Sequence, residues 1–223
     1  MNTSAGQRFD CTLSDEECDR GIEAAVSALG AGGLVVLPTD TVYGLAADAF
    51  DPAAVQRLLR AKGRGADKPP PVLVAAETTL DALAIRVPVI ARELVSELWP
   101  GPLTLICHQQ PSLTWDLGDT RGTVAIRMPD ARLTLDVIKL TGPLAVTSAN
   151  RTGMPPAVSV SEAREMLGSA VDVYLDEGPK ITALASTILD VTRDPPRVVR
   201  VGAVSLERLQ AFAAGIELDS RDA

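Results

Sequence analysis

Apolar positions recur along the chain with two periods, and the switching between them sets the first expectations. In SDEECDRGIEAAVSALGAGG (14–33) they fall at helical spacing behind Ser14, with Glu17 three residues on. This is the pattern of a capped helix, halted at Gly32 and Gly33. LVVLP (34–38) reads as a short buried strand. DPAAVQRLLRAKG predicts a second helix, with Asp51 as its cap, Pro52 in the first position and Gly63 at its end. VLVAA (72–76), LTLIC (103–107), TVAIRM (123–128) and PLAVT (143–147) read as strands. Helices are predicted over PVIARELVSELWPG (88–101), ARLTLDVIKLTG and SVSEAREMLG. VDVYL, STILDV and RVVRV are strands close together near the end, expected to pair antiparallel, and SLERLQAFAAG is a last helix before a frayed DSRDA tail. LPTDTVYGLAADAF (37–50) is neither strand-like nor helical, yet it sets two threonines, an aspartate and a tyrosine at the end of a core strand.

Strands alternating with helices predict an α/β domain, and the terminal strand cluster predicts a mixed, twisted sheet. With no internal repeat or linker, one domain over residues 1–223 is expected, its core at about 14–212. Only 3% of residues are aromatic against 46% hydrophobic, so the core must be built of Val, Leu, Ile and Ala. No apolar run approaches the ~20 residues that cross a bilayer. The N-terminus MNTSAGQRFD lacks a basic region followed by an apolar one, so a cytoplasmic, membrane-free protein is expected.

Candidate chemistry narrows by subtraction. Cys11, Cys18 and Cys107 are odd in number and form no C-x-x-C pair, which argues against a disulfide framework or zinc site. His108 is the sole histidine, so Ser-His or Cys-His nucleophilic chemistry has little support. A net charge of −8 argues against a large nucleic-acid surface. The charge is uneven, however. Residues 57–68 carry Arg57, Arg60, Lys62, Arg64 and Lys68 against Asp67 alone. Such a cluster is either a solvated face or a polyphosphate site.

Ligands of open α/β sheets bind beyond strand ends. The segments there (38–44, 62–71, 123–129, 147–153, 186–190 and 198–202) are rich in hydroxyls, amides and cations, with Asp40, Asp67 and Asp190 as their only carboxylates. That leaves no carboxylate pair for hydrolysis and no cage for a hard metal. KGRGADKPPP is not a P-loop, but Gly63 and Gly65 loosen its start and three prolines stiffen its exit. It is an ordinary polar loop or a cationic one aimed at phosphate. In TSAN, Ser148 and Asn150 share a face if the backbone is extended, and otherwise form an Asx-type turn. Arg127, inside an apolar strand, needs a partner from the protein or from a ligand.

Taken together, LVVLPTDTVYGLAADAF, AKGRGADKP, WPGPLTL, GTVAIRMP, PLAVTSANRTG, STILD and VVRVG resemble, in order and spacing, the threonylcarbamoyl-AMP synthase family with its YrdC-like fold. The resemblance implies a twisted mixed α/β sheet with a concave ligand-binding face. It also implies a nucleotidyltransferase that converts ATP, L-threonine and bicarbonate to threonylcarbamoyl-AMP and pyrophosphate. The product would feed a partner transferase complex that modifies tRNA, and weak direct RNA binding by the same fold is an alternative use of the concave face, as is a paralogue with another acceptor. Carried over residue by residue, Arg64, Lys68, Thr123, Asn150 and Arg200 would bind ATP, with Lys62 adding charge. Thr41, Arg127, Ser148 and Ser186 would bind threonine, with Thr39, Asp40 and Tyr43 lining the same pocket. Mg2+ would be held by the phosphates. Two departures stand out. Arg200-Val201-Gly202 replaces an Arg-Pro-Gly of many relatives, and residues 71–74 lack a histidine that some relatives carry. The second C-terminal domain of longer relatives is not expected here.

Overall fold

The computed structural model describes residues 6–181 and 184–219. Local signals set most element ends. The Ser14 hydroxyl accepts the Glu17 N–H, opening α1 (Asp15–Gly30). The Asp51 carboxylate accepts two N–H groups at the start of α2 (Pro52–Lys62), and Gly63 closes that helix in the left-handed region at φ 62°. The other helices are α3 (Thr79–Leu83), α4 (Val89–Leu98), α5 (Arg132–Thr141), α6 (Val160–Leu167) and α7 (Leu206–Gln210).

The strands are β1 (Gln7–Asp10), β2 (Val35–Leu37), β3 (Gly44–Asp48), β4 (Val72–Leu73), β5 (Ala84–Ile85) and β6 (Leu103–Gln109). They continue as β7 (Thr123–Arg127), β8 (Leu144–Ser148), β9 (Val173–Asp176), β10 (Thr187–Asp190), β11 (Arg197–Arg200) and β12 (Glu217–Leu218). They form one mixed sheet in the order β1-β9-β2-β3-β8-β4-β7-β6-β10-β11-β12, with β5 added beside β6. Its two faces bury separate clusters, as a period of two requires. Val35, Leu37 and Ala46 pack with Leu29 of α1 and Val137 of α5, while Val36, Leu45 and Ala47 pack with Leu58 of α2 and Leu94 of α4.

Three expectations need correcting. β10 and β11 pair antiparallel, but VDVYL forms β9 between β1 and β2, parallel to both, across the sheet from β10. Proximity in sequence did not predict this because β9 and β10, consecutive in the chain, are separated in the sheet by the six strands β2, β3, β8, β4, β7 and β6. The segment 37–50 contains strand β3, whose GLAAD reads poorly as a strand because glycine and alanine have low β propensity. Small residues are required there: a Cβ on Gly44 would lie 2.7 Å from Val146 Cγ1 of neighbouring β8. The core also extends past 14–212, since Phe9 and Ile216 are buried. Asp219, expected to fray, is buried; its N–H donates to Val198 O at 2.9 Å and its carboxylate lies 3.4 Å from Arg193. The rest of that tail, 220–223, lies outside the described residues, as does 1–5 of the N-terminal segment.

Candidate active site

Residues 38–43 connect β2 to the antiparallel β3, and their hydroxyls are wired before any ligand arrives. Thr39 Oγ1 donates to Val42 O at 2.6 Å and accepts the Thr41 N–H at 3.2 Å. Thr41 Oγ1 lies 2.9 Å from Thr39 Oγ1 and accepts from Arg127 Nη1 at 3.1 Å. A hydroxyl has one proton. With that of Thr39 spent on Val42, the proton of Thr41 goes to Thr39, and Thr41 keeps one acceptor lone pair for a ligand donor.

Arg127, near the end of β7, answers the question of its partner twice. Its Nη2 pairs with Asp40 Oδ1 at 2.5 Å and its Nε donates to Gly101 O at 3.0 Å. Burial lowers the guanidinium pKa, and Asp40 pulls it back up. Three of its five N–H groups are accounted for, which leaves two for a ligand.

A second wall comes from β6, β10 and β11. Arg200 Nε and Nη2 both donate to Ser186 O, at 3.0 and 2.8 Å, and Nη2 reaches Ser186 Oγ at 3.0 Å. Ser186 Oγ in turn sits 2.8 Å from the buried Thr104 Oγ1. Burial depresses the Arg200 pKa, and the charges of Arg127 and Arg64 depress it further, so three guanidiniums face one space.

The third wall follows α2. Arg64 N–H donates to Leu59 O, and Nη1 reaches Thr147 Oγ1 on β8 at 3.1 Å. Arg64 Nε is buried with no acceptor among the described residues, and the guanidinium pKa is lowered by burial. The Lys68 side chain has no hydrogen bond or ion pair among the described residues.

These walls enclose a cavity of about 410 Å³, within the range of small-molecule sites. Thr41, Arg64, Lys68, Thr123, Arg127, Ser148, Ser186 and Arg200 line it, together with an apolar surface that includes Leu73, Ile106, Val146 and Ile188. Among the described residues four cations thus face the cavity and no aspartate or glutamate does, in a chain of net charge −8. Such a space suits a polyanion beside a small polar group.

Three sequence-predicted residues, Asp40, Lys62 and Asn150, are not among the residues that line the cavity. Lys62 Nζ does not reach the cavity; it donates to Ser148 O at 2.7 Å, to Ser148 Oγ at 3.3 Å and to Asn150 Oδ1 at 2.8 Å. Asn150 is buried behind the wall, its Nδ2 donating to Arg151 O and Met154 O. Asp40 is held back by its pairing with Arg127, whereas Tyr43 does line the cavity, although its hydroxyl turns away to Gly178 O at 2.6 Å and accepts the Glu177 N–H at 3.1 Å. The hydroxyl residues Thr104 and Thr147 also line the cavity without having been predicted. Thr104 is a single hydroxyl in an apolar strand and Thr147 stands beside Ser148 at the end of another, which was the available signal.

Comparison with known proteins follows from this geometry. The family model Sua5_yciO_yrdC, described as "Telomere recombination", matches residues 27–202. A Mycobacterium tuberculosis protein, named provisionally as a threonylcarbamoyl-AMP synthase, is 51% identical over 214 residues, 96% of this chain and 98% of its own. The threonylcarbamoyl-AMP synthase of Pyrococcus abyssi is 35% identical over 198 residues, 88% of this chain and 58% of its own. The crystal structure of P. abyssi Sua5 complexed with L-threonine superposes with a TM-score of 0.88 at 33% identity, covering 96% of this chain and 62% of that one.

Proposed function

Because the chain belongs to the Sua5/YciO/YrdC family, we propose that its cavity makes threonylcarbamoyl-AMP from ATP, L-threonine and bicarbonate, releasing pyrophosphate. The observation that carries this reading is the set of four cations, without a lining carboxylate among the described residues, set beside a pre-wired threonine slot.

The chemistry is matched to these side chains. The amine of threonine and bicarbonate give a carbamate, losing water. A carbamate oxygen, already anionic, attacks the α-phosphorus of ATP and the bond to the β-phosphate oxygen breaks, releasing pyrophosphate. The nucleophile needs no general base, which accords with a cavity that no histidine or carboxylate lines among the described residues. The protein's task is in-line positioning and neutralisation of charge on the phosphates. Arg64, Lys68 and Arg200 supply that charge. The two spare N–H groups of Arg127 take the threonine carboxylate, and Thr41 and Ser186 hold its polar groups. Mg2+ would be held by the nucleotide phosphates and would help neutralise their charge, since among the described residues the lining includes no carboxylate. The adenylate, a mixed anhydride, passes to a transferase complex acting on tRNA.

The test is to incubate the chain with ATP, bicarbonate and threonine and to identify the adenylate by mass. Replacing threonine by valine should lower its formation by roughly 10⁴-fold, since a site built around a substrate hydroxyl is left with unpaired polar groups. Equal formation from valine, or no adenylate from threonine, would refute the reading.

A further inference from the structure

Lys62 is a buried ammonium that the mechanism leaves unused. It is 3% exposed and is the last residue of α2. Its backbone O accepts the Thr152 N–H at 2.9 Å, and its Nζ makes three donations, to Ser148 O, Ser148 Oγ and Asn150 Oδ1. An ammonium has three protons and no lone pair, so it can only donate. Ser148 Oγ therefore accepts from Lys62, and its own proton must point elsewhere. Ser148 lines the cavity, and its hydroxyl donates to no protein atom among the described residues.

We propose that Lys62 is a positioning residue: by donating to Ser148 Oγ, its ammonium turns the Ser148 hydroxyl proton into the cavity as the donor to an oxygen of bound threonine. The inference rests on the threonine-binding reading of this cavity. Neutral lysine would undo the arrangement. An amine has two protons and one lone pair, so three acceptors would compete for two donors. The longest contact, 3.3 Å to Ser148 Oγ, is the one to reverse, with Ser148 then donating to Nζ instead of to the substrate.

The reversal falls within an accessible pH range. Burial, and then the charge of Arg64, lower the Lys62 pKa to about 8. No carboxylate is paired with Nζ among the described residues. From the facing loop, the atoms on Nζ are the untitratable Ser148 and Asn150, while Arg151 is exposed and donates to Met166 O. Asp67 acts on Arg64. The signs for function and stability oppose each other. The protonated, binding-competent form is lost as pH rises through about 8. Stability rises with pH between about 8 and 10.5, because the unfolded chain there binds more protons than the folded one.

Threonine affinity of the full chain, measured by titration calorimetry at pH 7 and pH 9, tests the proposal. A group titrating near 8 loses about tenfold of its protonated form over that interval. Wild-type affinity should therefore fall about tenfold more than that of Ser148→Ala. The titration of threonine's own amine is common to both proteins and cancels in the ratio. Lys62→Met should match Ser148→Ala at pH 7, and the double variant should lose no more than either alone. Equal pH ratios in wild type and Ser148→Ala would overturn the role of Lys62, as would additive losses in the double variant. Absence of threonine-dependent pyrophosphate release by the wild type at pH 7 would strike the functional reading itself.

Discussion

Two of the three cationic walls of the cavity, that of Arg127 and that of Arg64 and Lys68, differ in how much of their charge the protein already uses. Arg127 is enclosed, with a carboxylate, a hydroxyl and a carbonyl on its guanidinium. Across the cavity, Arg64 has one hydroxyl contact and a buried Nε without an acceptor, while Lys68 has no side-chain partner among the described residues. Arg127 belongs to the folded structure as much as to the site, because its loss would strand the Asp40 carboxylate. Arg64 and Lys68 are held in place by backbone geometry, by the left-handed turn at Gly63 and by the stiff run Pro69–Pro71, and their charge is left for a ligand. A pre-satisfied slot and an unsatisfied one are what a small amino acid and a triphosphate respectively require.

The comparison can be broken most sharply at Arg127. Arg127→Ala should abolish adenylate formation and also destabilise the fold by about 3 kcal/mol, the cost of leaving one partner of a buried pair uncompensated. Adding Asp40→Asn should recover part of that stability and none of the activity, as read by denaturant unfolding beside a turnover assay. Stability unchanged in Arg127→Ala would show that the two walls do not differ as described. A smaller effect is expected at Thr104. Thr104→Val removes the hydroxyl that steadies Ser186 beneath Arg200. One hydrogen bond of about 1 kcal/mol corresponds to roughly a fivefold rise in the KM for ATP. An unchanged KM would detach Thr104 from the site.

The sequence made legible whatever is decided locally. The Ser14 and Asp51 caps, the stop at Gly63 and the cationic loop all follow from neighbouring residues, and the structure contains each. Ten of the thirteen residues predicted for the site line the cavity, because strand ends in an α/β sheet converge in a way the element order already implies. What was not legible depends on which way a side chain faces across a wall. Lys62 and Arg64 are two residues apart and equally cationic, yet one is consumed beneath Ser148 and the other is open to the cavity. Tyr43 points to the turn at Gly178, some 135 residues away in sequence, and no pattern within residues 37–50 could say so. Strand β3 was missed because close approach to Val146 selects glycine and alanine over the β-branched residues that mark strands.

The claim that the unpaired cations serve the triphosphate is tested most directly by threonine-dependent pyrophosphate release in Arg64→Ala and Lys68→Ala. The account predicts that each variant loses more than about tenfold in turnover while unfolding at the same denaturant concentration as wild type, since neither side chain balances a buried carboxylate. Near-normal release by both variants would contradict it.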